Sequence, residues 1–371
     1  MNDIVFWAHS YCRSTLKFYS ELANAFHKNC FIYTWIDNLE LRSATGFSNS
    51  EFTDLKVIHI GNDFELAEKI LKKHLSDYNI FCAYQTSSIH QHLIELLIKD
   101  NIRYGIISEA PCNMDNYPKR FIKTVYLKYY LPTKLKKIIK NADFILNASG
   151  YYEPGLLNLG WKPSQIISCG YYPPRILGSK LMERNEKNWK NFTILLSGLH
   201  QWHRSPWILL KALDVLKRKG YTPKCYITQS GPYLKKIKNY AVKHQLSNVE
   251  FLGFVEISTL IQLYETCSVY VGCGNYEPWG MRLNDSLQCG APLIVNRGMG
   301  GVKMVDQYGC GMSFNRNDFI RLAEVIENLI TNKSLYLKIS KNASTAARAV
   351  SPEHAAVEYA NRIEKYINKT I

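Results

Sequence analysis

The 371-residue chain lacks most features of secreted, zinc-binding and membrane-spanning proteins. Its ten cysteines form no CxxC pair and no Cys/His ligand spacing, so we expect free thiols in a reducing compartment. The opening residues MNDIVFW have no basic start and no small-residue cleavage site. No apolar run approaches the roughly 18 residues that a spanning helix needs. These absences predict a cytoplasmic protein.

A dinucleotide-binding fingerprint is incomplete. Gly272 and Gly274 have the spacing of its first two glycines, but the third glycine and the acidic residue about 20 positions later are missing. We interpret the pair as a tight turn, and a nicotinamide-dependent enzyme is not favoured.

Charge is the most unusual property of the composition. Lysine and arginine number 46 against 31 aspartates and glutamates, so the formal net charge is +15. Such an excess favours an anionic partner. Nucleic acid, an anionic lipid surface and a phosphorylated small molecule all meet this condition, and charge alone does not distinguish them.

Short β-rich runs alternate with helical patterns in both halves, which predicts parallel sheets covered by helices on both faces. A turn-rich and then charged stretch at about 175–190 interrupts the alternation, and we place the linker between two α/β domains there. After the last predicted strand we expect only helix to the end of the chain. The predicted strands are 4–8, 30–35, 57–60, 80–84, 104–108 and 144–148, then 192–197, 224–228, 249–252, 269–272 and 292–296.

The most informative segment follows the predicted strand at 269–272. A helix is expected to start near Trp279 and to end at Gly290, which suits a C-terminal cap. Free N–H groups at a helix start form a site for phosphate. Glu277 precedes this start and Asp285 lies about two turns inside the helix, where carboxylates accept hydrogen bonds from neutral hydroxyl groups. The combination suits a sugar nucleotide, although a solvent-facing Asp and a chance Glu would give the same pattern.

These residues resemble the retaining glycosyltransferases of family 4, which have the two-domain GT-B fold. That family carries E-x-F-G, a second Glu eight positions after the first, and a G-x-P-V-I run. The corresponding residues here are Glu277, Trp279, Gly280, Asp285 and GAPLI at 290–294. Further similar segments are SGP at 230–232, NVEFLGFV at 248–255 and GGVKMV at 300–305, so the resemblance covers about residues 192–350.

The resemblance implies an α/β chain with the GT-B fold, that is, two Rossmann-like domains with parallel sheets facing a central cleft. Residues 1–175 would form the acceptor-binding domain and 190–350 the nucleotide-sugar-binding domain, while 351–371 would form a helix packing back toward the first domain. The implied enzyme is a retaining hexosyltransferase. It would move a sugar from a UDP-, GDP- or ADP-sugar to a glycan or lipid-linked saccharide in surface polysaccharide or lipopolysaccharide biosynthesis.

The resemblance also implies roles for residues. Glu277 would hold sugar hydroxyls, and Asp285, one methylene shorter than the family's Glu, would accept hydrogen bonds from the ribose. Backbone N–H groups of Gly280, Met281 and Arg282 would face the diphosphate. Gly198, Trp279 and Val255 complete the implied donor site. Cofactor and metal are not expected, because the chain has no DxD sequence and cations with a helix N-terminus can stabilise the departing diphosphate.

A second phosphate-binding element is predicted at 197–204 (SGLHQWHR). Arg204 stands where the family has Lys, and we assign it a catalytic role because a guanidinium can bind a diphosphate bidentately. Leu199 stands where the family has Arg, so Arg282 or Lys303 would supply the missing cation. The alternative for Arg204 is a solvated residue at a helix start.

In the N-terminal half, two residues are predicted to contact substrate. Arg13 follows the first predicted strand, where the family has a glycine-rich loop, and Glu109 closes the strand at 104–108. Ligands of parallel sheets usually bind at this edge. An N-cap at Ser14 and a surface Glu109 explain the same residues without a ligand.

Residues 119–140 combine eight cations with aliphatic and aromatic residues. Such a stretch suits an anionic bilayer, with aromatics at the headgroups and cations on the phosphates, and predicts peripheral contact with the inner face of the membrane. The alternative is a surface helix whose apolar side packs on the sheet. Nucleic acid is not expected, because no recognised nucleic-acid module accompanies the charge. The cations are Lys119, Arg120, Lys123, Lys128, Lys134, Lys136, Lys137 and Lys140.

Two further functions stay open. The departures at Leu199, Asp285 and Lys303 suit a catalytically degenerate binding or scaffold protein of the same fold. A sugar epimerase or phosphorylase of that fold would release a free sugar or a sugar phosphate.

Overall fold

A computed structural model describes residues 3–10, 15–36, 57–111, 119–151 and 153–367. These residues divide into two compact units. The first unit holds the described residues up to Pro174 and those from Ser351 onward, and the second unit holds Arg175–Val350. Each unit is built on one sheet, and the paired strands of both sheets are parallel. The predicted fold class, α/β with two Rossmann-like domains, is confirmed.

Seven strands form the sheet of the first unit. They are β1 (Ile4–Ser10), β2 (Cys30–Ile36), β3 (Val57–His59), β4 (Tyr78–Cys82), β5 (Tyr104–Ser108), β6 (Ala142–Asn147) and β7 (Ile166–Ser168). Their order in space is β3-β2-β1-β4-β5-β6-β7. The chain therefore runs outward in opposite directions from β1 and from β4. All five residues of β4 are buried, as expected for a central parallel strand covered on both faces.

Six helices of the first unit precede residue 174. They are α1 (Leu16–Ala25), α2 (Phe64–Lys73), α3 (Ser88–Lys99), α4 (Lys119–Val125), α5 (Leu131–Asn141) and α6 (Glu153–Leu159). Side-chain caps fix the starts of two of them. Asp63 accepts from the Leu66 N–H at 2.9 Å before α2, and Ser87 accepts from the His90 N–H at 3.3 Å before α3.

The basic segment predicted from the sequence is one helical run, in which a π-helical turn at Tyr126–Tyr130 joins α4 to α5. Pro132 accounts for the turn, because proline has no N–H to donate to the preceding turn and its ring clashes there. The Leu131 N–H donates to the Tyr126 carbonyl, five residues back. Among the described residues, no helix is long and apolar enough to cross a membrane.

The second unit has a six-stranded sheet. Its strands are β8 (Thr193–Leu196), β9 (Lys224–Thr228), β10 (Val249–Gly253), β11 (Val269–Gly272), β12 (Leu293–Asn296) and β13 (Gly311–Phe314). Their order is β10-β9-β8-β11-β12-β13. The chain again runs outward in opposite directions from two central neighbours, here β8 and β11.

Nine more helices complete the description. They are α7 (Glu186–Lys190), α8 (Trp207–Arg218), α9 (Leu234–Lys243), α10 (Ile257–Thr266), α11 (Met281–Gln288), α12 (Val302–Tyr308), α13 (Phe319–Thr331), α14 (Lys333–Ala349) and α15 (Pro352–Ile367). The last belongs to the first unit and packs on α1. There the Tyr172 and Tyr359 hydroxyls are 2.9 Å apart, and the Phe18 ring lies 6.0 Å from the Tyr359 ring.

The expectation of helix alone after the strand at 292–296 is wrong, because β13 follows. This strand pairs in parallel with β12, with Gly311 opposite Leu293. A Cβ at residue 311 would collide with the Leu293 carbonyl, so the close approach requires glycine. A four-residue run that begins with glycine has low β-strand propensity. Here the pairing with β12, and not the local sequence, stabilises the strand.

The stretch predicted as a linker at 175–190 lies in the second unit and contains α7. Arg184 is only 3% exposed within it. Its Nε donates to the Cys267 carbonyl at 2.7 Å and its Nη1 to the Cys289 carbonyl at 3.1 Å. One buried guanidinium thus ties this polar stretch to the second unit, which the charge pattern alone did not reveal.

Candidate functional site

The carboxyl ends of β8 and β11 lie side by side in the second sheet. This is the point where the strand order reverses, because β9 and β10 follow on one side and β12 and β13 on the other. In doubly wound sheets, the crevice outside such a pair is the usual place for a ligand. A small cavity of about 30 Å³ lies there, between the loops that follow β8, β11 and β12. Its wall includes the predicted site residues Gly198, Arg204, Glu277, Gly280 and Arg282, which the fold therefore brings together.

The loop after β8 positions Arg204. Gly198 has a φ of +133°, which side chains rarely adopt, and a Cβ there would lie 3.2 Å from Arg204 Nη1. The peptide at His200 is held on both sides, since its N–H donates to Ser230 O at 2.8 Å and its carbonyl accepts from the Tyr233 N–H at 3.0 Å. The guanidinium thus lies close against bare backbone.

Arg204 is not a solvated residue at a helix start, which was the alternative to a ligand-binding role. It ends a short 3-10 turn, Trp202–Arg204, before α8 begins. Its side chain is 33% exposed, but its Nε is buried and has no hydrogen-bond partner among the described residues. A buried donor without an acceptor is costly, so this guanidinium has hydrogen-bonding capacity for a ligand.

Glu277 is held by its backbone. Its N–H donates to the Gly298 carbonyl at 3.1 Å, and its own carbonyl accepts from the Gly300 N–H at 3.0 Å. These bonds join the loop after β11 to the loop after β12. A Cβ at Gly274 would lie 2.9 Å from Glu277 Oε2, so the missing side chain at Gly274 gives the carboxylate its space.

Arg204 and Glu277 form an ion pair inside the cavity wall. Arg204 Nη2 lies 3.5 Å from Glu277 Oε1, and the Glu277 side chain is 16% exposed. A partly exposed pair at this distance stabilises the fold by at most about 1 kcal/mol. The ion pair matters more for position than for stability, because it holds one positive and one negative group side by side at the end of the sheet.

The helix α11 starts at Met281, two residues after the predicted start near Trp279. Gly280 precedes it with a φ of +99°, and a Cβ there would collide with the Met299 side chain. Trp279 is 2% exposed and donates from Nε1 to Asn284 Oδ1 at 2.7 Å, so its indole packs against α11. Gly280 and Arg282 are in the cavity wall, so the start of α11 lies next to the cavity.

Asp285 lies behind the cavity wall. It is 3% exposed, and its Oδ2 is 3.5 Å from Nη1 of Arg282, which lines the cavity. The carboxylate and the guanidinium stand on the same side of α11, three residues apart. Of the two cations suggested to replace the one missing at Leu199, Arg282 is in the cavity wall and Lys303 is not.

An aromatic stack supports the loop that carries Glu277. The rings of Trp202 and Tyr276 are stacked with centroids 5.5 Å apart, and the Arg316 guanidinium lies 4.8 Å from the Tyr276 ring centroid. The His203 carbonyl accepts from the Asn275 N–H at 2.8 Å. The stack and this hydrogen bond tie the two loops together beside the Arg204–Glu277 pair.

Two histidines of the site were not singled out from the sequence. His200 is 1% exposed and lines the cavity, and burial lowers the pKa of its imidazole. Burial likewise lowers the pKa of His203, with a further lowering by Arg204. A lone histidine in a loop has no periodicity to mark it, so only the folded chain reveals its position.

Three other predicted residues lie outside the cavity wall as described. Val255 is half-buried in the loop between β10 and α10, and Met281 is half-buried at the first turn of α11. Trp279 is the third, packed below α11. The structure does not bring their side chains to the ion pair.

In the first unit, Glu109 follows β5 at the carboxyl edge of the sheet. The Tyr171 hydroxyl donates to Glu109 Oε1 at 2.9 Å, so the carboxylate is oriented. Arg13 lies outside the described residues. Within the described ranges, no group of three or more His, Cys, Asp or Glu side chains has an arrangement suited to a metal ion.

Comparison with known proteins relates this site to a protein family. Residues 179–346 match the family model described as "Glycosyl transferases group 1". A curated relative, an uncharacterized glycosyltransferase of Methanocaldococcus jannaschii, is 30% identical over 125 residues. The alignment covers 33% of this chain and 35% of that relative, so the chain matches about a third of the relative's length.

Solved structures resemble the chain over nearly its whole length. HepE of Anabaena in complex with UDP has a TM-score of 0.70 at 14% identity, covering 98% of this chain and 100% of that one. A glycosyltransferase of Rickettsia africae has a TM-score of 0.67 at 14% identity, covering 99% of each chain. WaaG, a glycosyltransferase involved in lipopolysaccharide biosynthesis, has a TM-score of 0.61 at 13% identity, covering 97% of this chain and 99% of that one. Residues 179–346 thus form a glycosyl transferases group 1 domain, within a chain that has the two-domain GT-B fold.

Proposed function

We propose that this protein is a retaining glycosyltransferase of family 4 that moves a sugar from a nucleotide-sugar donor to a glycan or lipid-linked saccharide. The observation that carries the proposal is the cavity at the ends of β8 and β11, whose wall contains Arg204, Arg282, Glu277 and the start of α11. Two guanidiniums and a helix N-terminus favour a diphosphate, and the carboxylate favours sugar hydroxyls. A nucleotide sugar has both groups in one molecule.

The proposed chemistry is the departure of a nucleoside diphosphate. The bond between the anomeric carbon and the diphosphate oxygen breaks, and the electron pair stays on that oxygen. Arg204 and Arg282 stabilise the charge that develops there, as preorganised cations do in a site that excludes water. The acceptor hydroxyl oxygen then bonds to the anomeric carbon on the face that the diphosphate leaves, and its proton passes to the departing diphosphate oxygen. Positioning by Glu277 and stabilisation of the leaving group supply the catalysis.

Donor binding in this proposal also changes the partner of Arg204. The Arg204–Glu277 pair lies in the wall of a small cavity that is open to solvent on one side, so an arriving diphosphate competes with Glu277 for the guanidinium. The diphosphate replaces Glu277 as the partner of Arg204, and the released carboxylate becomes available to sugar hydroxyls. The ion pair of the ligand-free chain holds both groups in place until the donor arrives.

The solved relatives suggest where to look for substrates. Structures of HepE contain UDP, UDP-glucose, or UDP with glucose, and WaaG acts in lipopolysaccharide biosynthesis. We therefore propose a UDP-sugar as the first donor to test, ahead of GDP- and ADP-sugars. A surface polysaccharide or lipopolysaccharide precursor is the proposed acceptor.

Calorimetry with UDP, GDP and ADP tests the donor site, and transfer from radiolabelled UDP-glucose to membrane extracts tests the reaction. Arg204→Ala should lower kcat/KM by about 100- to 1000-fold, the usual loss when a donor to developing negative charge is removed. Arg218→Ala is the matched control, since this arginine pairs with Asp214 on α8 and its side chain is 71% exposed. The control should keep wild-type activity within about twofold.

Four results would contradict the proposal. Absence of binding by every nucleoside diphosphate would remove the donor site. Binding without transfer or donor hydrolysis would indicate a scaffold of the same fold, and release of a free sugar or sugar phosphate would indicate an epimerase or phosphorylase. NMR of the product's anomeric centre tests retention, and an inverted linkage would exclude family 4.

A further inference from the structure

Three asparagine side chains link the loops that follow β11, β12 and β13, which are neighbouring strands of the second sheet. Asn275 lies in the loop after β11, Asn296 is the last residue of β12, and Asn317 lies in the loop after β13. Asn275 and Asn296 are 5% and 0% exposed, whereas Asn317 is exposed. All three lie outside the cavity wall, so they can act on a ligand only through other residues. We call this set the asparagine network.

Asn296 uses both of its amide hydrogens and its amide oxygen in hydrogen bonds. Its Nδ2 donates to the Cys273 carbonyl at 3.2 Å and to Asn275 Oδ1 at 2.9 Å. Its Oδ1 accepts from the Gly298 N–H at 2.8 Å. One buried side chain therefore joins the end of β12 to the loop after β11, and its removal would leave buried polar groups without partners.

Asn275 extends the connection to the loop after β13. Its Nδ2 donates to Asn317 Oδ1 at 2.6 Å, and its Oδ1 accepts from the Asn317 N–H at 3.2 Å. Asn317 has a φ of +60°, a backbone conformation that asparagine adopts more readily than most residues. The two bonds run in opposite directions, so they fix the positions of both residues.

The asparagine network leads to the backbone of Glu277. Asn296 holds the Gly298 N–H, and the Gly298 carbonyl accepts from the Glu277 N–H at 3.1 Å. Asn275, two residues before Glu277, is held by the same network. The Glu277 carboxylate then lies 3.5 Å from Arg204, which belongs to a different loop, after β8. The position of the carboxylate thus depends on amides that do not touch it.

We propose that Asn296 is a positioning residue for the carboxylate of Glu277, supported by Asn275 and Asn317. The inference rests on the proposed function, in which Glu277 holds sugar hydroxyls. Misplacement of a group in an active site by about 1 Å can cost about 100-fold in rate. The effect falls on sugar transfer more than on diphosphate binding, because Arg204 is carried by another loop.

Asn296→Ala tests the centre of the network. It should lower kcat for transfer by about 30- to 100-fold and leave UDP affinity within about threefold of the wild-type value. Asn79→Ala is the matched control. Asn79 is also 0% exposed, donates to the His74 and Asp77 carbonyls and accepts from Trp7 Nε1, but it lies in β4 of the first unit. The control should lose a similar amount of thermal stability and keep kcat within about twofold.

Asn317→Gly tests the outer end with little risk to folding, because Asn317 is exposed and glycine keeps the φ of +60°. Loss of the oxygen that accepts from Asn275 should lower kcat by about 3- to 10-fold. Asn317→Asp keeps an oxygen acceptor at this position and should retain the wild-type kcat within about twofold. An Asn317→Asp variant as slow as Asn317→Gly would contradict the role of this hydrogen bond.

A double-mutant cycle separates positioning from a general loss of structure. In a Glu277→Ala background there is no carboxylate to position, so Asn296→Ala should cost less than about threefold in kcat there. A cost of 30-fold or so in both backgrounds would overturn the inference, because Asn296 would then act independently of Glu277.

Hydrogen exchange of the ligand-free chain tests the network without any activity. Asn296→Ala should speed exchange of the Glu277 and Gly298 amides by at least about tenfold, and Asn79→Ala should leave it unchanged. Unchanged exchange in the Asn296→Ala variant would overturn the inference even if transfer fell. A wild-type chain that binds no nucleoside diphosphate and transfers no sugar would instead overturn the proposed function, and exchange would still decide whether the asparagine network holds Glu277.

Discussion

The two sheets have the same strand order around their centre but different chemistry at the corresponding edge. In each unit the chain turns away in opposite directions from two central strands, β1 and β4 in the first and β8 and β11 in the second. At the second edge lie glycines, an ion pair and a cavity. At the first edge, the His90 ring lies 3.8 Å from the Trp35 ring, and His9 packs on Trp35 at 6.5 Å.

The difference teaches that topology fixes where a site can be and loop residues decide whether one is built. Both sheets present the ends of parallel strands at a point where the chain direction changes, the usual location for a ligand. Among the described residues, only the second unit has glycines next to charged side chains at this edge. Position in the fold is thus a weak argument for function until the side chains are known.

The largest effect is expected from Glu277→Gln, which tests whether the charged edge is the functional one. Transfer should fall by about 100- to 1000-fold, because a strong acceptor for sugar hydroxyls is lost. UDP alone should bind about 3- to 10-fold more tightly, since the carboxylate no longer competes for Arg204 or repels the diphosphate. Calorimetry and steady-state kinetics measure the two effects, and weaker UDP binding would contradict the exchange of partners at Arg204.

A smaller effect is expected from a matched pair of glycines, one in each unit. Gly280 and Gly160 have φ values of +99° and +100°, but only at Gly280 would a Cβ collide with a neighbour, Met299. Both alanine variants carry the same backbone penalty of about 1–2 kcal/mol. Gly280→Ala should lose up to about 1 kcal/mol more, because the end of the flexible Met299 side chain must move, and it should also weaken UDP binding. Chemical unfolding compares the two, and equal losses would show that the neighbourhood of Gly280 yields easily.

His90, which is buried at the first edge, is expected to make the folded chain less stable in acid. Burial lowers the pKa of His90 well below its usual value of 6.5, and His9 lowers it further. The unfolded chain therefore binds a proton that the folded chain excludes as the pH falls below about 6.5, so stability is lost on that side. His90→Leu should reduce the loss by up to about 1.4 kcal/mol per pH unit.

Thermal unfolding between pH 5 and pH 8 measures this gain. Leucine preserves the apolar environment of Trp35 and has no group to protonate. His354→Leu is the control, because residue 354 is exposed on α15. If the His90→Leu variant were as acid-sensitive as the wild-type chain, another group would be responsible for the loss.

The smallest effect is expected from Glu109→Gln, which asks whether the first edge contributes to acceptor binding. Loss of the charge on the group that Tyr171 orients should raise the acceptor KM by about 2- to 10-fold and leave UDP affinity unchanged. Tyr171→Phe removes only the 2.9 Å hydrogen bond and should show part of the same effect. A change in UDP affinity instead would assign Glu109 to the donor.

The sequence by itself determined the alternation of strands and helices in both halves, because hydrophobic periodicity and turn residues are local signals. It also indicated the segment around Glu277 and Gly280, since a strand, a glycine and a helix start are consecutive in the chain. The strand β13 was not predicted, because its four residues have weak β-strand propensity and are held in place by pairing with β12.

Only the tertiary structure decided which residues meet. Arg204 and Glu277 belong to loops after different strands and come within 3.5 Å because those strands are neighbours in the sheet. Folding also brings His200 into the cavity wall and buries Arg184 against four backbone carbonyls. The basic segment shows the limit most directly: two halves of similar composition differ in burial, because burial depends on what lies opposite a helix face and not on the residues of the helix alone.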